Sequence, residues 1–136
     1  MAIELLTVCE WNGPHMDRAD ILYPTWDQVE DAIRCLDEHD RNDLYLRPSA
    51  SNPETYLAVG GGAGRYLVTG SIENERFPTV VKDGDGDGGC EILVVGGQSG
   101  DYPRNWIVDL DTALAATRSF FETGEFAGGG VTWIEV

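Results

Sequence analysis

The chain has 136 residues and a formal net charge of −15, from 24 Asp and Glu against 9 Lys and Arg. Hydrophobic residues make up 42% of it, which excludes a disordered acidic tail and suffices for a core without disulfides or metal. The shortage of basic residues argues against direct binding to nucleic acid or to an anionic membrane surface, whereas a basic partner would be attracted. We expect a single domain over residues 1–136.

The cysteines and the N-terminus indicate the compartment. Cys9, Cys35 and Cys90 are widely spaced and odd in number, which predicts reduced thiols and neither a disulfide framework nor a zinc site. The first residues lack the basic and apolar segments of a signal peptide, and no apolar run approaches the ~18 residues of a membrane span. We expect a soluble cytoplasmic protein.

The N-terminal third predicts a strand, a loop and a helix. Residues 3–9 are apolar and β-rich, and residues 11–24 contain turn formers and two prolines, so they predict a strand and then a loop. Thr25 and Gln28 form a capping box that begins a helix. Its apolar face comprises Trp26, Val29, Ala32, Ile33 and Leu36, and its opposite face carries Asp27, Glu30, Asp31, Arg34, Asp37 and Glu38.

The predicted end of this helix is acidic. Asp37, Glu38 and Asp40 crowd a C-terminus, where the helix dipole favours cations. Local stability therefore does not explain them, which leaves function or solubility.

Residues 43–109 predict a β-meander. Short β-type runs alternate with Gly- and Asp-rich turns at a spacing of about ten residues. The runs are residues 44–46, 56–59, 66–68, 79–81 and 92–95, with 106–108 as a further edge strand or a lead into the next helix.

The C-terminal segment predicts a second helix and a last strand. Asp111 suits the N-cap and Gly124 the C-cap, and residues 131–136 are β-type. The apolar face of the helix comprises Leu110, Ala113, Leu114, Thr117, Phe120 and Phe121, with Ala115, Arg118, Ser119 and Glu122 opposite. The expected fold class is α+β, an antiparallel β-meander sheet packed against two amphipathic helices.

Two glycine-rich segments invite a ligand-binding interpretation. Residues 83–91 begin like a calcium loop, but Val94 occupies the twelfth position, where a bidentate Glu belongs. We therefore predict an acidic hairpin turn, with a weak cation site as the alternative. Residues 60–64 resemble a phosphate cradle, but a strand follows where a helix should begin, so we predict a flexible hairpin loop. His15 and His39 are far apart, and no serine lies in a nucleophile elbow. We expect no catalytic residues, no metal and no cofactor.

The C-terminal part carries a family resemblance. Gly-Gly-Gln-Ser-Gly-Asp-Tyr-Pro at 96–103 precedes Trp-Ile-Val-Asp at 106–109, a helix at 111–121, Glu-Thr-Gly-Glu at 122–125 and Val-Thr-Trp at 131–133. This succession resembles immunity protein family one of bacterial polymorphic toxin systems. The resemblance covers residues 56–136, and the first 55 residues match in pattern alone.

The resemblance implies an α+β immunity protein that neutralises a cognate protein toxin in the producing cell. It implies a nucleic-acid deaminase as that toxin, or alternatively a nuclease. The charge agrees with this partner, because a toxin that handles DNA or RNA needs a basic groove that an acidic protein can occupy. The alternative is an acidic binding module or nucleic-acid mimic for another basic partner.

Two acidic surfaces are candidate interfaces. The first is the outer face of the first helix with its tail, and the second is formed by the strand-end loops, which we favour because Tyr102 adds an aromatic anchor. The first comprises Asp27, Glu30, Asp31, Asp37, Glu38 and Asp40. The second comprises Glu73, Glu75, Asp83, Asp85, Asp87, Asp101 and Tyr102.

Overall fold

The computed structural model describes residues 3–82 and 88–136. Ten strands, two α-helices and one 3-10 turn follow one another in this part of the chain. They are β1 Leu5–Asn12, β2 His15–Leu22, α1 Trp26–Arg34, β3 Asp43–Arg47, β4 Tyr56–Gly62, β5 Arg65–Ser71, β6 Pro78–Val81, β7 Cys90–Val95, β8 Gln98–Pro103, the 3-10 turn Arg104–Trp106, β9 Ile107–Val108, α2 Leu110–Thr123 and β10 Thr132–Glu135.

The main sheet is antiparallel and has the order β10-β6-β5-β4-β3-β1-β2, with β9 paired to β5. Strands β3 to β6 form the predicted meander, and the α+β class is confirmed. The inclusion of residues 92–95 in that meander is wrong, because β7 pairs with β8 in a separate two-stranded sheet. Since β6 and β7 lie in different sheets, they are not the two paired strands that a hairpin turn at 83–91 would join. Residues 83–87 themselves lie outside the described part.

The loop predicted at residues 11–24 is wrong over most of its length. The chain makes a hairpin there, in which Asn12 pairs with His15 and Gly13 has a φ of 62°. A positive φ at the first position of a two-residue turn suits the twist of a hairpin, and glycine adopts it without strain. Strand β2 is exposed at nearly every residue, so it lacks the apolar alternation by which a strand is recognised.

The two faces of the main sheet are covered differently. On one face, Leu57, Val59 and Val68 pack with Ile33 of α1 and Phe120 of α2 in the larger core. On the other face, a smaller cluster covers part of the sheet. It consists of Leu67, Leu93 and Ile107, with Val95, Tyr102 and Trp106 at its edge.

The helix ends follow local hydrogen bonding. The capping box of α1 is confirmed, since Thr25 and Gln28 exchange both side-chain to backbone bonds. The N-cap of α2 is Asp109 and not Asp111, because the Asp109 carboxylate accepts the Thr112 N–H at 2.9 Å. Gly124 is confirmed as the C-cap, with a φ of 74°.

The predicted glycine loop at 60–64 is mostly strand. Gly60 to Gly62 belong to β4, and the turn itself is Ala63-Gly64. Gly62 has a φ of 133°, and a Cβ placed there would lie 2.4 Å from the Leu36 carbonyl carbon. The glycine therefore lets the segment after α1 lie directly against β4.

Candidate partner-binding site

The outer side of α1 carries carboxylates with and without internal partners. Glu30 is ion-paired to Arg34, one turn later, at 2.9 Å. Asp27 and Asp31 are exposed, also lie one turn apart, and form no ion pair within the described ranges. Two like charges at this spacing repel each other slightly. Because neither forms an ion pair within the described ranges, this part of α1 is a negatively charged patch.

A groove runs between α1 and β2, with a volume of about 360 Å³. Its floor is apolar and half-buried, with contributions from Val8, Ile21 and Ala32. Its carboxylates come from both walls. These are Glu10, Asp17 and Asp31.

Two arginines also line this α1–β2 groove, but each already has a carboxylate partner. Arg18 holds Asp20 at 3.0 Å, and Arg41 lies 3.2 Å from Glu10. The Arg18 hydrogen bond, followed by the Thr7 hydroxyl, holds the pKa of Asp20 below its usual value. The groove is thus left with carboxylates on its α1 and β2 walls that these arginines do not neutralise.

Sequence reasoning missed Glu10 and Asp17 as site residues. Both lie in the β1–β2 hairpin, most of which the sequence predicted to be a loop. Gly13 was the available signal, since a glycine at the first central position is typical of one class of two-residue hairpin turn.

Asp37 and Glu38 follow α1 and have structural roles. Asp37 accepts the backbone N–H groups of His39 and Arg41 at 2.8 and 3.0 Å. Burial raises the pKa of Asp37, but these hydrogen bonds outweigh it and leave the pKa below its ordinary value. Local structure therefore does explain Asp37, contrary to the expectation from the sequence.

Glu38 is an internal ion-pair partner. Its two oxygens accept from Nη2 of Arg65 at 2.8 and 2.9 Å, and its side chain is only 19% exposed. The hydrogen bond to Glu38 is the main cause that raises the pKa of Arg65. Arg65 also contacts Glu91, which Arg104 holds from the other side. This network ties the segment after α1 to β5 and β7.

Among the described residues of the predicted loop surface, Glu73 and Glu75 are not brought together with Tyr102. Glu73 and Glu75 follow the Ser71 end of β5, whereas Tyr102 pairs with Glu91, which contacts Arg65 at the other end. The seven residues of β5 span about 20 Å, so the two groups lie at opposite ends of this strand.

The loop acids also differ in availability. Glu73 accepts from Asn52 and Thr55 at 2.9 and 3.0 Å. Glu75 and Asp101 are exposed, and in the part of the chain that the structure describes they have no ion-pair partner. The half-buried Tyr102 packs on the smaller cluster. Asp83, Asp85 and Asp87 lie outside the described residues.

A buried carboxylate lies on the sheet face opposite the helices. Asp43 is 3% exposed and accepts from Trp11 Nε1 at 2.9 Å and from the Tyr45 hydroxyl at 2.7 Å. Burial, together with the bond to Asp43, raises the pKa of Tyr45. Burial also raises the pKa of the neighbouring Cys9 thiol to about 11. The arrangement orders the ends of β1 and β3, and sequence reasoning gave no sign of it.

Arg47 stacks between two tyrosines on the same face. Its guanidinium carbon lies 5.6 Å from the Tyr45 ring centre and 5.5 Å from that of Tyr56. Its buried Nε and Nη1 atoms have no hydrogen-bond partner among the residues that the structure describes. Cation–π attraction to the two rings stabilises this group.

Comparison with known proteins identifies the family. The chain matches the model of the immunity protein family Imm1 over residues 17–135. The match begins in β2 and ends in β10, and so extends well beyond the resemblance drawn from residues 56–136. The comparison with curated proteins gave no match. Within residues 3–82 and 88–136, neither helix is long and apolar enough to span a membrane. The chain belongs to the Imm1 immunity protein family.

Proposed function

We propose that this protein binds its cognate toxin in the cytoplasm of the producing cell and neutralises it by covering the active site, without catalysis of its own. Family membership carries this proposal, because it implies an immunity protein directed against a toxin. Occlusion needs shape and charge that match the toxin, and it needs no reactive group on the immunity protein.

The proposed target is a toxin that deaminates nucleic acid, with a nuclease as the alternative. Either enzyme must attract phosphates, so its active-site groove is basic. The immunity protein has a net charge of −15, which supports a competitor for that groove. Electrostatic attraction also speeds encounter, which matters when the toxin must be silenced quickly.

The proposed interface contains carboxylates that have no internal partner. Asp27 and Asp31 on α1 meet this condition, as do Glu75 and Asp101 on the loop side, within the described ranges. Glu38 is the weakest of the predicted interface residues, because Arg65 already holds both of its oxygens. Rim charges chiefly set the association rate, so tight binding also requires an apolar contact. The α1–β2 groove supplies one, which favours the helix side over the loops.

Co-expression tests the proposal. The C-terminal domain of the protein encoded by the adjacent open reading frame is taken as the candidate toxin. It is expressed alone and together with the immunity protein, and growth and co-elution are measured. We expect growth arrest by the toxin alone, rescue by the pair, and a complex that elutes as one species. Sequencing of cellular DNA and RNA then separates a deaminase, which converts bases, from a nuclease, which cleaves strands.

Failure has a distinct appearance. Absence of both rescue and complex would overturn the proposal. Capture of a different basic protein, with no effect on the toxin, would instead support a general acidic binding module.

A further inference from the structure

We infer that the α1–β2 groove receives a lysine or arginine side chain of the toxin, with its aliphatic stem on the groove floor and its charged end among the rim carboxylates. This inference rests on the proposed function and deepens it by naming the contact. The groove is formed by the β1–β2 hairpin and α1. It could therefore not be predicted from the sequence, which indicated a loop at residues 11–24.

The floor of the groove selects an apolar stem. Val8, Ile21 and Ala32 are half-buried, and Ala19 is exposed beside them. These small and branched side chains leave an opening of about 360 Å³, within the range of cavities that hold small ligands. Apolar surface that remains open in the free protein gains free energy when a partner covers it.

The rim of the groove selects a positive end. Asp31 on the helix wall is exposed and without an ion-pair partner within the described part. Asp17 lies on the strand wall, and its carboxylate contacts Nε2 of His15 at 3.2 Å. An acidic occupant would be repelled, and a purely apolar one would strip water from carboxylates without replacing their partners, which is costly. Lysine and arginine combine an apolar stem with a charged end.

The exposed cysteines report on the groove without any mutation. Cys35 lines the groove and is exposed, whereas Cys90 is exposed at the start of β7, outside it. Cys9 is buried, so it remains unmodified in the folded chain. The intact chain is treated with iodoacetamide, alone and with the toxin domain that the co-expression test identifies, and alkylation of each cysteine is followed by mass spectrometry.

We expect the bound toxin to slow alkylation of Cys35 by about tenfold or more, as a contact that excludes the reagent does, and to leave Cys90 unchanged. Protection of Cys90 alone would place the toxin on the β7–β8 side and overturn the inference.

Matched neutralising variants test the charge of the occupant. Asp31→Asn removes a groove carboxylate, and Glu125→Gln removes one exposed carboxylate that belongs to neither candidate surface, so both change the net charge equally. We expect Asp31→Asn to raise the toxin Kd about tenfold or more, mainly through faster dissociation, because the bound toxin would desolvate this charge pair. We expect Glu125→Gln to raise the Kd by about threefold or less, through slower association. Unchanged or tighter binding by Asp31→Asn would mean that the occupant is not a cation.

A substitution in the groove floor tests the apolar contact separately from the rim charges. Ala32→Leu adds apolar volume without a charge change, and we expect it to weaken toxin binding while its circular dichroism and thermal unfolding stay native-like. If the wild-type chain binds toxin and both groove variants bind equally well, the inference is wrong and the proposed function stands. If the wild-type chain does not bind toxin, the proposed function itself fails.

Discussion

Both carboxylate oxygens of Glu38 accept hydrogen bonds from Nη2 of Arg65, at 2.8 and 2.9 Å. Glu38 has a φ of 63°, a conformation that non-glycine residues adopt only at a cost. The ion pair, with Arg65 bridging to Glu91, stabilises this turn after α1. A residue that the sequence marks as acidic surface thus holds three segments of the fold together.

Glu38→Gln should therefore destabilise the fold more than it weakens partner binding. We expect the free energy of unfolding to fall by about 1–2 kcal/mol, since a charged hydrogen-bond acceptor is lost at a partly solvent-screened site. Urea titration measures it, with Glu75→Gln as the control, whose unfolding free energy should change by about 0.5 kcal/mol or less. A fully stable Glu38→Gln variant with lost toxin binding would contradict the internal role.

A second prediction rests on the close contact between Leu36 and Gly62. Alanine at 62 would put its Cβ 2.4 Å from backbone, whereas alanine at Gly64, also at positive φ, would meet nothing within 4 Å. We expect Gly62→Ala to lower the free energy of unfolding by about 1–3 kcal/mol more than Gly64→Ala does. Both substitutions carry the φ strain, and only the first adds overpacking. Equal losses in chemical denaturation would show that the contact with Leu36 is unimportant.

The N-cap of α2 gives a pH-dependent prediction. The Thr112 backbone N–H is the main cause that lowers the pKa of Asp109, so the carboxylate stabilises the fold above its unfolded pKa. This contribution decreases as the pH falls through the folded pKa. Asp109→Ala should cost about 1 kcal/mol at neutral pH, and the difference from wild type should shrink in acid.

Asp109→Asn is the control for this cap, because an amide oxygen accepts the same N–H without titrating. Its unfolding free energy relative to Asp109→Ala should not depend on pH. Thermal unfolding between neutral and acidic pH measures all three proteins, and a pH-independent gap between wild type and Asp109→Ala would refute the cap assignment.

Local signals in the sequence sufficed for the start of α1, for strands β3 to β6 and for the α2 C-cap. The capping box at Thr25 and the glycine at 124 act over one helical turn, so neighbouring residues determine them. Strand β2 was missed, because both sides of this edge strand are largely exposed and its residues show no burial pattern.

The candidate site depended on contacts that no local pattern encodes. Glu38 and Arg65 are 27 residues apart, and Trp11 and Asp43 are 32 apart. The sequence therefore did not distinguish acidic residues with internal partners from acidic residues that are available to a toxin. The α1–β2 groove appears once β2 is placed beside β1.

The net charge predicts how fast the complex forms. Association with the toxin should slow by about tenfold or more between low and high salt, because screening shortens the reach of exposed charges, while dissociation changes little. Stopped-flow fluorescence measures the association rate. An association rate that does not depend on salt would rule out electrostatic attraction as the reason for the acidic composition.

Inhibition of the toxin domain by this protein is the decisive measurement. Toxin activity on a single-stranded nucleic acid is titrated with the immunity protein at several substrate concentrations. We expect complete inhibition at one immunity protein per toxin, with more immunity protein required as the nucleic acid concentration rises, because the proposed function has both compete for one basic groove. A saturated complex that still acts on nucleic acid would contradict occlusion of the active site.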